Sequence, residues 1–209
     1  VDPAGDACKP AVALGIATLG REQINTFIAA NGFHPAQCQR SKGVLMQPAD
    51  TVRRFVAAAV ANDFGVHLHA IGDRANREVL DIYEEFFGDD PKRQGLRWRI
   101  ENTQHLHPDD IPRFADLGVI PAMQGVHCTS DAPWVLRRLG PERAESGAYM
   151  WRKLLDSGAV VTNGTDAPVE DLDPIASFYS TVTRRLADGS ADRMIAGAVN
   201  RSDDLFVHV

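Results

Sequence analysis

Histidine and carboxylate side chains follow or lie within short apolar runs of this sequence, a placement that suits a hydrolytic metal site. His67 and His69 stand two apart in one such run, and Asp166 follows another. Imidazole nitrogens and carboxylate oxygens are ligands that zinc and iron accept in hydrolytic sites. A bound ion lowers the pKa of its water, and a carboxylate can accept the proton that this water releases. These residue types predict a metal-activated water with Asp166 as the general base.

The same residues admit a structural interpretation. An HxH pattern on a strand is a common accident, and His69 could be an ordinary hydrogen-bonded histidine at a strand end. Asp166 could cap the turn into Ala167-Pro168. Spacing alone leaves the metal site and the structural interpretation open.

Repeated strand and helix signals show how these residues would be positioned. Short apolar runs alternate with amphipathic segments, which is typical of β/α units. The predicted strands cover residues 66–70, 98–101, 119–123 and 160–163. The predicted helices cover residues 48–62, 74–87, 108–117, 149–156 and 174–185, with a loop and short helices over 129–148.

Strands that are each followed by a helix pair in parallel through right-handed crossovers. They form either an open doubly wound sheet or part of a (β/α)8 barrel. No glycine-rich phosphate loop follows any predicted strand, which favours the barrel. A closed barrel takes about 250 residues, so the predicted fold class is α/β, a partial TIM barrel. We place the β/α units at residues 45–187, after an N-terminal segment of unclear role (1–44) and before a C-terminal tail (188–209).

Composition limits the classes of partner. The 209-residue chain has a net charge of −6 and no long Lys/Arg cluster, which argues against nucleic acid. Its apolar stretches are far shorter than the roughly 20 residues of a membrane-spanning helix. No secretory signal is visible at the start, and we expect a cytoplasmic protein without a membrane partner.

Three widely spaced cysteines, Cys8, Cys38 and Cys128, include no CxxC pair. This pattern argues against a disulfide framework and against a thiolate zinc site. Cys128 adjoins His127, but neighbouring strand residues point to opposite faces. We therefore interpret Cys128 as a buried structural thiol rather than a nucleophile.

Several stretches resemble the amidohydrolase superfamily, in the branch called amidohydrolase family 3, which includes proteins like N-substituted formamide deformylase and YtcJ. The resemblance runs from about Gly43 to Arg185, and its most specific parts are His69-Ala-Ile-Gly-Asp-Arg-Ala75 and Asp166-Ala-Pro-Val-Glu170. The other matching stretches are 99–104, 108–118, 123–124, 127–131, 139–144 and 151–158.

The resemblance implies a fold position and a role for particular residues. The strands look like the fifth to eighth of the family's barrel. His69 matches a metal ligand, and Asp166 matches the aspartate that binds metal and acts as general base. His127 falls where the family places a histidine near the substrate, and Gln104 is expected to contact the substrate as well. The family implies one or two divalent ions, zinc above all, and hydrolysis of small amides, formamides or other non-peptide carbon–nitrogen bonds.

Three departures from the family pattern bear on that implication. Asn102 stands where the family has a sixth-strand histidine ligand, and an amide oxygen is a far weaker zinc ligand than imidazole. His105 could reach inward in its place. The family's first-strand HxH pair has no counterpart, because His67-x-His69 matches the fifth strand. Its bridging lysine has no match either, since Lys42 lies in an unsuitable polar context.

The leading hypothesis is a zinc-dependent amidohydrolase, seen here as a partial chain whose upstream half supplies the missing ligands. Two other functions compete with it. Asn102 favours a catalytically incomplete fragment that has lost metal and activity. A sugar- or phosphate-handling barrel is the third hypothesis, which the missing phosphate loop disfavours. Half a barrel also leaves strand edges unpaired. We therefore expect a homo-oligomer, or an edge covered by residues 1–44.

Overall fold

The computed structural model describes residues 8–15, 18–38, 43–88 and 95–185. Four strands are present in this part of the chain: β1 (His67–Ala70), β2 (Arg99–Asn102), β3 (Ile120–Gln124) and β4 (Thr162–Gly164). Its α-helices are α1 (Lys9–Leu14), α2 (Arg21–Asn31), α3 (Ala49–Ala61), α4 (Asp73–Phe87), α5 (Ile111–Leu117), α6 (Gly125–Ser130), α7 (Ala132–Leu139), α8 (Pro141–Gly147), α9 (Trp151–Asp156) and α10 (Pro174–Thr183). None of these helices combines the length and apolar character needed to cross a bilayer.

The strands form one parallel sheet in the order β1-β2-β3-β4. Each predicted strand is confirmed, and its limits are shifted by at most two residues, toward the carboxyl end. The predicted helices are confirmed too, although α5 begins only after a 3-10 turn at Pro108–Asp110. The helices between consecutive strands leave all four strands pointing the same way, as the β/α repeat predicts.

The hydrophobic core lies between the sheet and the helices that follow its strands. Helix α4 buries one apolar stripe, and its Tyr83 and Phe87 rings pack on Trp98, with ring centroids 4.9 and 4.7 Å away. Ile100 and Met123 point from β2 and β3 into the same core. Because this side of the sheet carries the apolar residues, it is the side that the helices cover.

The opposite side of the sheet is open at β1, whereas Ile120 and Ala122 of β3 are buried on that side. His67 and His69 share it with Glu101, which is the register partner of His69 on β2. Both histidines are exposed and Glu101 is half-buried. A doubly wound sheet would carry helices on this side as well. The arrangement thus fits an α/β barrel fragment whose inner face is open at β1 and carries no helix layer.

The N-terminal elements correct one prediction. Cys8 and Cys38 form a disulfide with a Cα–Cα distance of 5.5 Å, so the prediction of no disulfide framework was wrong. The 3-10 turn at Pro35–Cys38 brings the second cysteine back to the start of α1, a proximity that sequence spacing does not reveal. Cys128 is a buried free thiol, as predicted, and burial raises its pKa to about 11.

The N-terminal helices are only loosely tied to the rest. Both α1 and α2 make their main contacts with the turn at Pro35–Cys38, and α2 buries none of its residues. Disulfides persist mainly in oxidising compartments. The Cys8–Cys38 bond therefore does not support a cytoplasmic location, which stays a prediction. The boundaries at residues 44 and 187 also stay predictions, and Lys42 and the tail at 188–209 lie outside the described residues.

A partly buried histidine anchors the loop after β2. His105 forms a single antiparallel bridge with Ala148, and its ring lies edge-on to the Tyr149 ring at 5.6 Å. Its Nδ1 atom is buried without a hydrogen-bond partner. Burial lowers the pKa of His105 to about 4, despite the nearby carboxylates of Asp131 and Asp73, so the ring is neutral at pH 7.

The disulfide should protect the N-terminal segment from proteolysis. Closing a loop between residues separated by 30 positions removes unfolded-state entropy worth about 3–4 kcal/mol in the chain-entropy model. We expect Cys8→Ser to speed tryptic cleavage at Arg21 by at least about tenfold, because cleavage follows the open population. Mass spectrometry of timed digests measures this rate. Cys128→Ala is the control and should leave it unchanged; equal rates in the two variants would contradict the prediction.

The neutral state of His105 should make stability depend on pH. The unfolded chain has a histidine pKa of about 6.5, above the folded value of about 4. The unfolded state therefore binds more protons between these values, and stability falls as the pH drops from about 6.5 to about 4, by about 3 kcal/mol in total. His105→Gln should flatten this part of a urea-unfolding profile. The exposed His34→Gln variant is the control, and a wild-type slope in His105→Gln would refute the assignment.

Candidate active site

The carboxyl ends of the strands bring the polar residues to one rim of the sheet, as expected for parallel strands. Strand β2 ends at Asn102, and Asp166 lies two residues beyond the end of β4. Asn102, Thr103 and Asp166 all have left-handed backbone conformations, with φ of 77°, 46° and 57°. Such conformations cost roughly 1–3 kcal/mol for residues with a side chain and concentrate at functional sites. The rim therefore has the polar residues and the strained backbone that are typical of a functional site.

Asp166 meets two side chains that the sequence singled out. Asn102 donates a hydrogen bond from Nδ2 to Asp166 Oδ2 at 3.4 Å. His127 Nε2 lies 3.9 Å from the same oxygen. The structure thus brings His127 and Asn102, from the ends of β3 and β2, to the carboxylate that follows β4.

His127 is buried with both ring nitrogens unsatisfied. His127 is 6% exposed, and neither its Nδ1 nor its Nε2 atom has a hydrogen-bond partner. A buried polar group without a partner costs about 1–3 kcal/mol, and native structures usually explain such a group by function, water or an ion. His127 and Cys128 lie in α6, so the prediction that they are neighbouring strand residues was wrong. The first residue of α6, Gly125, donates from its backbone N–H to Asn163 Oδ1 at 2.8 Å.

Glu170 is a site residue that our sequence reasoning missed. Its Oε1 lies 4.0 Å from His127 Nε2 and accepts a hydrogen bond of 2.6 Å from Ser130 Oγ. The signal was present, because Glu170 closes the Asp166-Ala-Pro-Val-Glu170 stretch. Two carboxylates, Asp166 and Glu170, therefore flank the same imidazole nitrogen.

A buried polar network lies beside this group. Gln104 Nε2 donates to Asp131 Oδ2 at 3.1 Å and to the Tyr149 hydroxyl at 3.2 Å. The Tyr149 hydroxyl lies 2.9 Å from Asp131 Oδ2 and 3.1 Å from the carbonyl oxygen of His127. Burial raises the pKa of Tyr149, and the Asp131 charge raises it further, so the phenol keeps its proton. Asp131 and Tyr149, which sequence reasoning missed, thereby hold the helix that carries His127.

This network bears on the predicted role of Gln104. Both hydrogens of its amide group are engaged by Asp131 and Tyr149, and the residue is 4% exposed. Gln104 thus holds neighbouring side chains in place, and its contact with a substrate stays a prediction. His105 lies against Tyr149 rather than beside Asp166, so it does not substitute for the missing histidine at position 102.

His69 lies apart from this group. It sits on edge strand β1, while Asp166 follows the opposite edge strand β4. Three strand spacings separate those strands, roughly 14 Å along the sheet. Within residues 8–15, 18–38, 43–88 and 95–185, no three His, Cys, Asp or Glu side chains are grouped so as to hold a metal ion. His69 and Asp166 as metal ligands therefore stay a prediction.

Comparison with known proteins gives this arrangement a family. A family model described as "Amidohydrolase family" matches residues 7–203. The chain is 36% identical over 142 residues to "Protein LONG AFTER FAR-RED 3" of Arabidopsis thaliana, which covers 68% of this chain and 24% of that protein. It is 32% identical over 145 residues to "Putative amidohydrolase YtcJ" of Bacillus subtilis (strain 168), covering 69% of this chain and 26% of that protein.

Solved structures extend the likeness to the fold. An uncharacterized metal-dependent hydrolase from Pyrococcus horikoshii OT3 superposes with a TM-score of 0.67 at 26% identity, over 82% of this chain and 32% of that one. A counterpart from Pyrococcus furiosus gives a TM-score of 0.61 at 28% identity. Together with the parallel strands and their helices, this likeness confirms the predicted partial TIM-barrel fold.

The match is partial in length. The chain spans about a quarter of the two curated relatives and about a third of the Pyrococcus horikoshii hydrolase. The family match nevertheless covers most of the chain and includes both specific stretches, His69 to Ala75 and Asp166 to Glu170. This chain belongs to the amidohydrolase family.

Proposed function

We propose that this chain carries part of the active site of a metal-dependent hydrolase that cleaves non-peptide carbon–nitrogen bonds in small amides or formamides. One observation carries the proposal: the buried His127 imidazole, with no hydrogen-bond partner, faces the Asp166 carboxylate at the rim of the sheet. Family membership and the metal-dependent hydrolases among the structural relatives support the reaction class.

Asp166 is the proposed general base. Its side chain is 39% exposed, so water can reach it, while the Asn102 amide fixes the position of Oδ2. A carboxylate held in this way can accept a proton from a water that attacks an amide carbonyl. Glu170, which Ser130 orients, is the second carboxylate at the same place, and its Oε1 lies 4.0 Å from His127 Nε2.

His127 is the proposed contact to the substrate. Its ring nitrogens can donate to or accept from the polar end of a small amide, which would relieve the unsatisfied burial. Gln104 is proposed to support the substrate through its amide oxygen, because its hydrogens already bind Asp131 and Tyr149. A carbonyl that accepts from His127 would lie beside the carboxylate that takes the proton of the attacking water.

The family implies zinc, and the described residues of one chain do not complete a zinc site. Zinc takes four ligands, of which three come from protein in a catalytic site. Asp166 and His69 are the proposed ligands, but they follow opposite edges of the sheet and no third ligand joins them in the described residues. Asn102 adds only an amide, a poor ligand for zinc. The described residues therefore do not by themselves fit a catalytic zinc ion.

One observation favours a second candidate function. The Asn102 amide donates to Asp166 Oδ2 and so gives this carboxylate a hydrogen-bond partner without an ion. This contact supports a catalytically incomplete amidohydrolase fragment without metal or activity. The two candidates differ in what Asp166 does, which an experiment can decide.

Zinc binding separates the two functions. If Asp166 is a ligand, we expect the purified chain to bind zinc and Asp166→Asn to weaken binding by at least about tenfold, or about 1.4 kcal/mol. Asn102→His should strengthen binding by a similar factor, because imidazole replaces an amide. Equilibrium dialysis with zinc measures both, and hydrolysis of N-formyl and N-acyl amines tests the reaction class.

The control is Asp171→Asn, which changes an exposed carboxylate in the same loop and should leave zinc binding unaltered. Circular dichroism checks that each variant is folded. A folded wild-type chain that binds no zinc, together with no gain in Asn102→His, would establish the incomplete fragment instead.

A further inference from the structure

A buried guanidinium lies at the end of α10. Arg184 is 7% exposed and has a left-handed backbone conformation, with φ of 52°. Its Nη2 atom donates to the carbonyl oxygen of Tyr149 at 2.5 Å. Its Nε and Nη1 atoms are buried without a hydrogen-bond partner. Because arginine keeps its charge in proteins, the chain places a cation in its interior and satisfies it only in part.

The indole of Trp151 lies against the same guanidinium. The Cζ atom of Arg184 is 4.8 Å from the centroid of the Trp151 ring, which is a cation–π contact. The Nε1 atom of Trp151 is also buried without a hydrogen-bond partner. The face of the ring attracts the charge, but the indole N–H and the N–H groups of Nε and Nη1 still need acceptors. Three buried donor atoms on two neighbouring side chains therefore lack an acceptor.

No carboxylate compensates Arg184 in the part of the chain that the structure describes, where its hydrogen bond is to a backbone carbonyl. The charges of Arg184 and Asp131 both reach the buried thiol of Cys128, whose pKa is raised most by burial, lowered by Arg184 and raised by Asp131. The Asp131 carboxylate is engaged elsewhere, because its Oδ2 accepts from Gln104 Nε2 and lies 2.9 Å from the Tyr149 hydroxyl. It therefore leaves the donors of Arg184 unpaired.

A buried charge with unpaired donors opposes folding. Moving a charged group from water into a protein interior is unfavourable unless the group is paired and hydrogen-bonded. Native structures usually explain an unsatisfied buried polar group by function, water or an ion. A water molecule accepts hydrogen bonds but leaves the charge of Arg184 uncompensated. An anion accepts charge-assisted hydrogen bonds and supplies the opposite charge as well.

We propose that Arg184 and Trp151 form a buried binding site for a small monovalent anion such as chloride, with guanidinium and indole N–H groups as the donors. A small ion suits the site because the chain already covers Arg184 almost completely, which leaves little surface for a larger ligand or a further protein segment. A doubly charged phosphate would overcompensate the single cation. The inference is independent of the proposed reaction, since it concerns neither Asp166 nor a substrate.

The anion site lies behind the helix that carries His127. Arg184 binds the carbonyl oxygen of Tyr149, and the Tyr149 hydroxyl lies 3.1 Å from the carbonyl oxygen of His127. Helix α10 also packs on α6, where Ser180 Oγ lies 3.5 Å from Thr129 Oγ1. An anion that fixes the guanidinium would therefore stabilise Tyr149 and the packing of α10 on α6. We expect the ion to support the structure of the candidate active site rather than to react.

Chloride should stabilise the folded protein. A ligand that binds only the folded state raises the unfolding midpoint as its concentration increases. Replacing gluconate by chloride at constant ionic strength keeps general screening unchanged, and we expect this exchange to raise the wild-type midpoint by about 3 °C or more. Scanning calorimetry measures the midpoint. An unchanged midpoint overturns the proposal, and it is the result expected if water or a carboxylate of the same protein fills the site.

Two neighbouring arginines provide a matched pair of variants. Arg184→Gln removes the buried charge and should abolish the chloride effect on the midpoint. Arg185→Gln removes the same charge from the next residue, which is exposed, and should keep the whole effect. Equal chloride effects in the two folded variants overturn the assignment to Arg184, because they would reflect binding elsewhere or general electrostatics.

Direct binding is measured by the broadening of the chloride NMR signal, which grows when chloride exchanges with a protein site. Trp151→Phe keeps an aromatic ring beneath Arg184 and removes the indole donor, so it should weaken chloride binding by at least about tenfold. This variant also decides the question if Arg184→Gln fails to fold, which circular dichroism reveals. A folded Trp151→Phe protein that binds chloride as tightly as the wild type overturns the proposed site.

Discussion

The Asp166 carboxylate and the His127 imidazole meet at the carboxyl rim of the sheet, and their positions depend on one strand junction. Gly125 opens α6 and donates to Asn163 on β4, so the helix that carries His127 is tied to the strand that precedes Asp166. Ser177 in α10 donates to the Gly164 carbonyl and closes the same junction from the other side. Parallel pairing puts these strand ends at one level, which lets short polar side chains meet there.

The rim is costly to the protein unless something binds to it. Folding is opposed by the left-handed backbone at Asn102 and Asp166. It is also opposed by the His127 imidazole, which is buried without hydrogen-bond partners. The buried contacts of Gln104, Asp131 and Tyr149 offset part of this cost, because every donor among them has an acceptor. A strained and unsatisfied rim on a well-packed support is typical of a binding or catalytic site.

The two predicted metal ligands lie at opposite edges of the sheet. Asp166 follows one edge strand, and His69 lies on the other. Within the described residues, the carboxylate is satisfied by Asn102, which explains how the chain can fold with an incomplete set of ligands. A complete barrel would change the surroundings of both residues, because each of them lies at an edge of the described sheet.

Much of the fold follows from the sequence by itself, because apolar periodicity and the punctuation by Gly, Pro and Asp act locally. The four strands, the helices between them and the parallel order could be predicted in this way, as could the burial of Cys128. The family also follows from local stretches such as His69 to Ala75. The sequence by itself could not predict the tertiary contacts. These are the approach of Asn102 to Asp166, the contacts of Glu170, Asp131 and Tyr149, and the Cys8–Cys38 disulfide. These contacts join residues from 18 to 64 positions apart, and only the packing of helices on a common sheet decides which distant side chains meet.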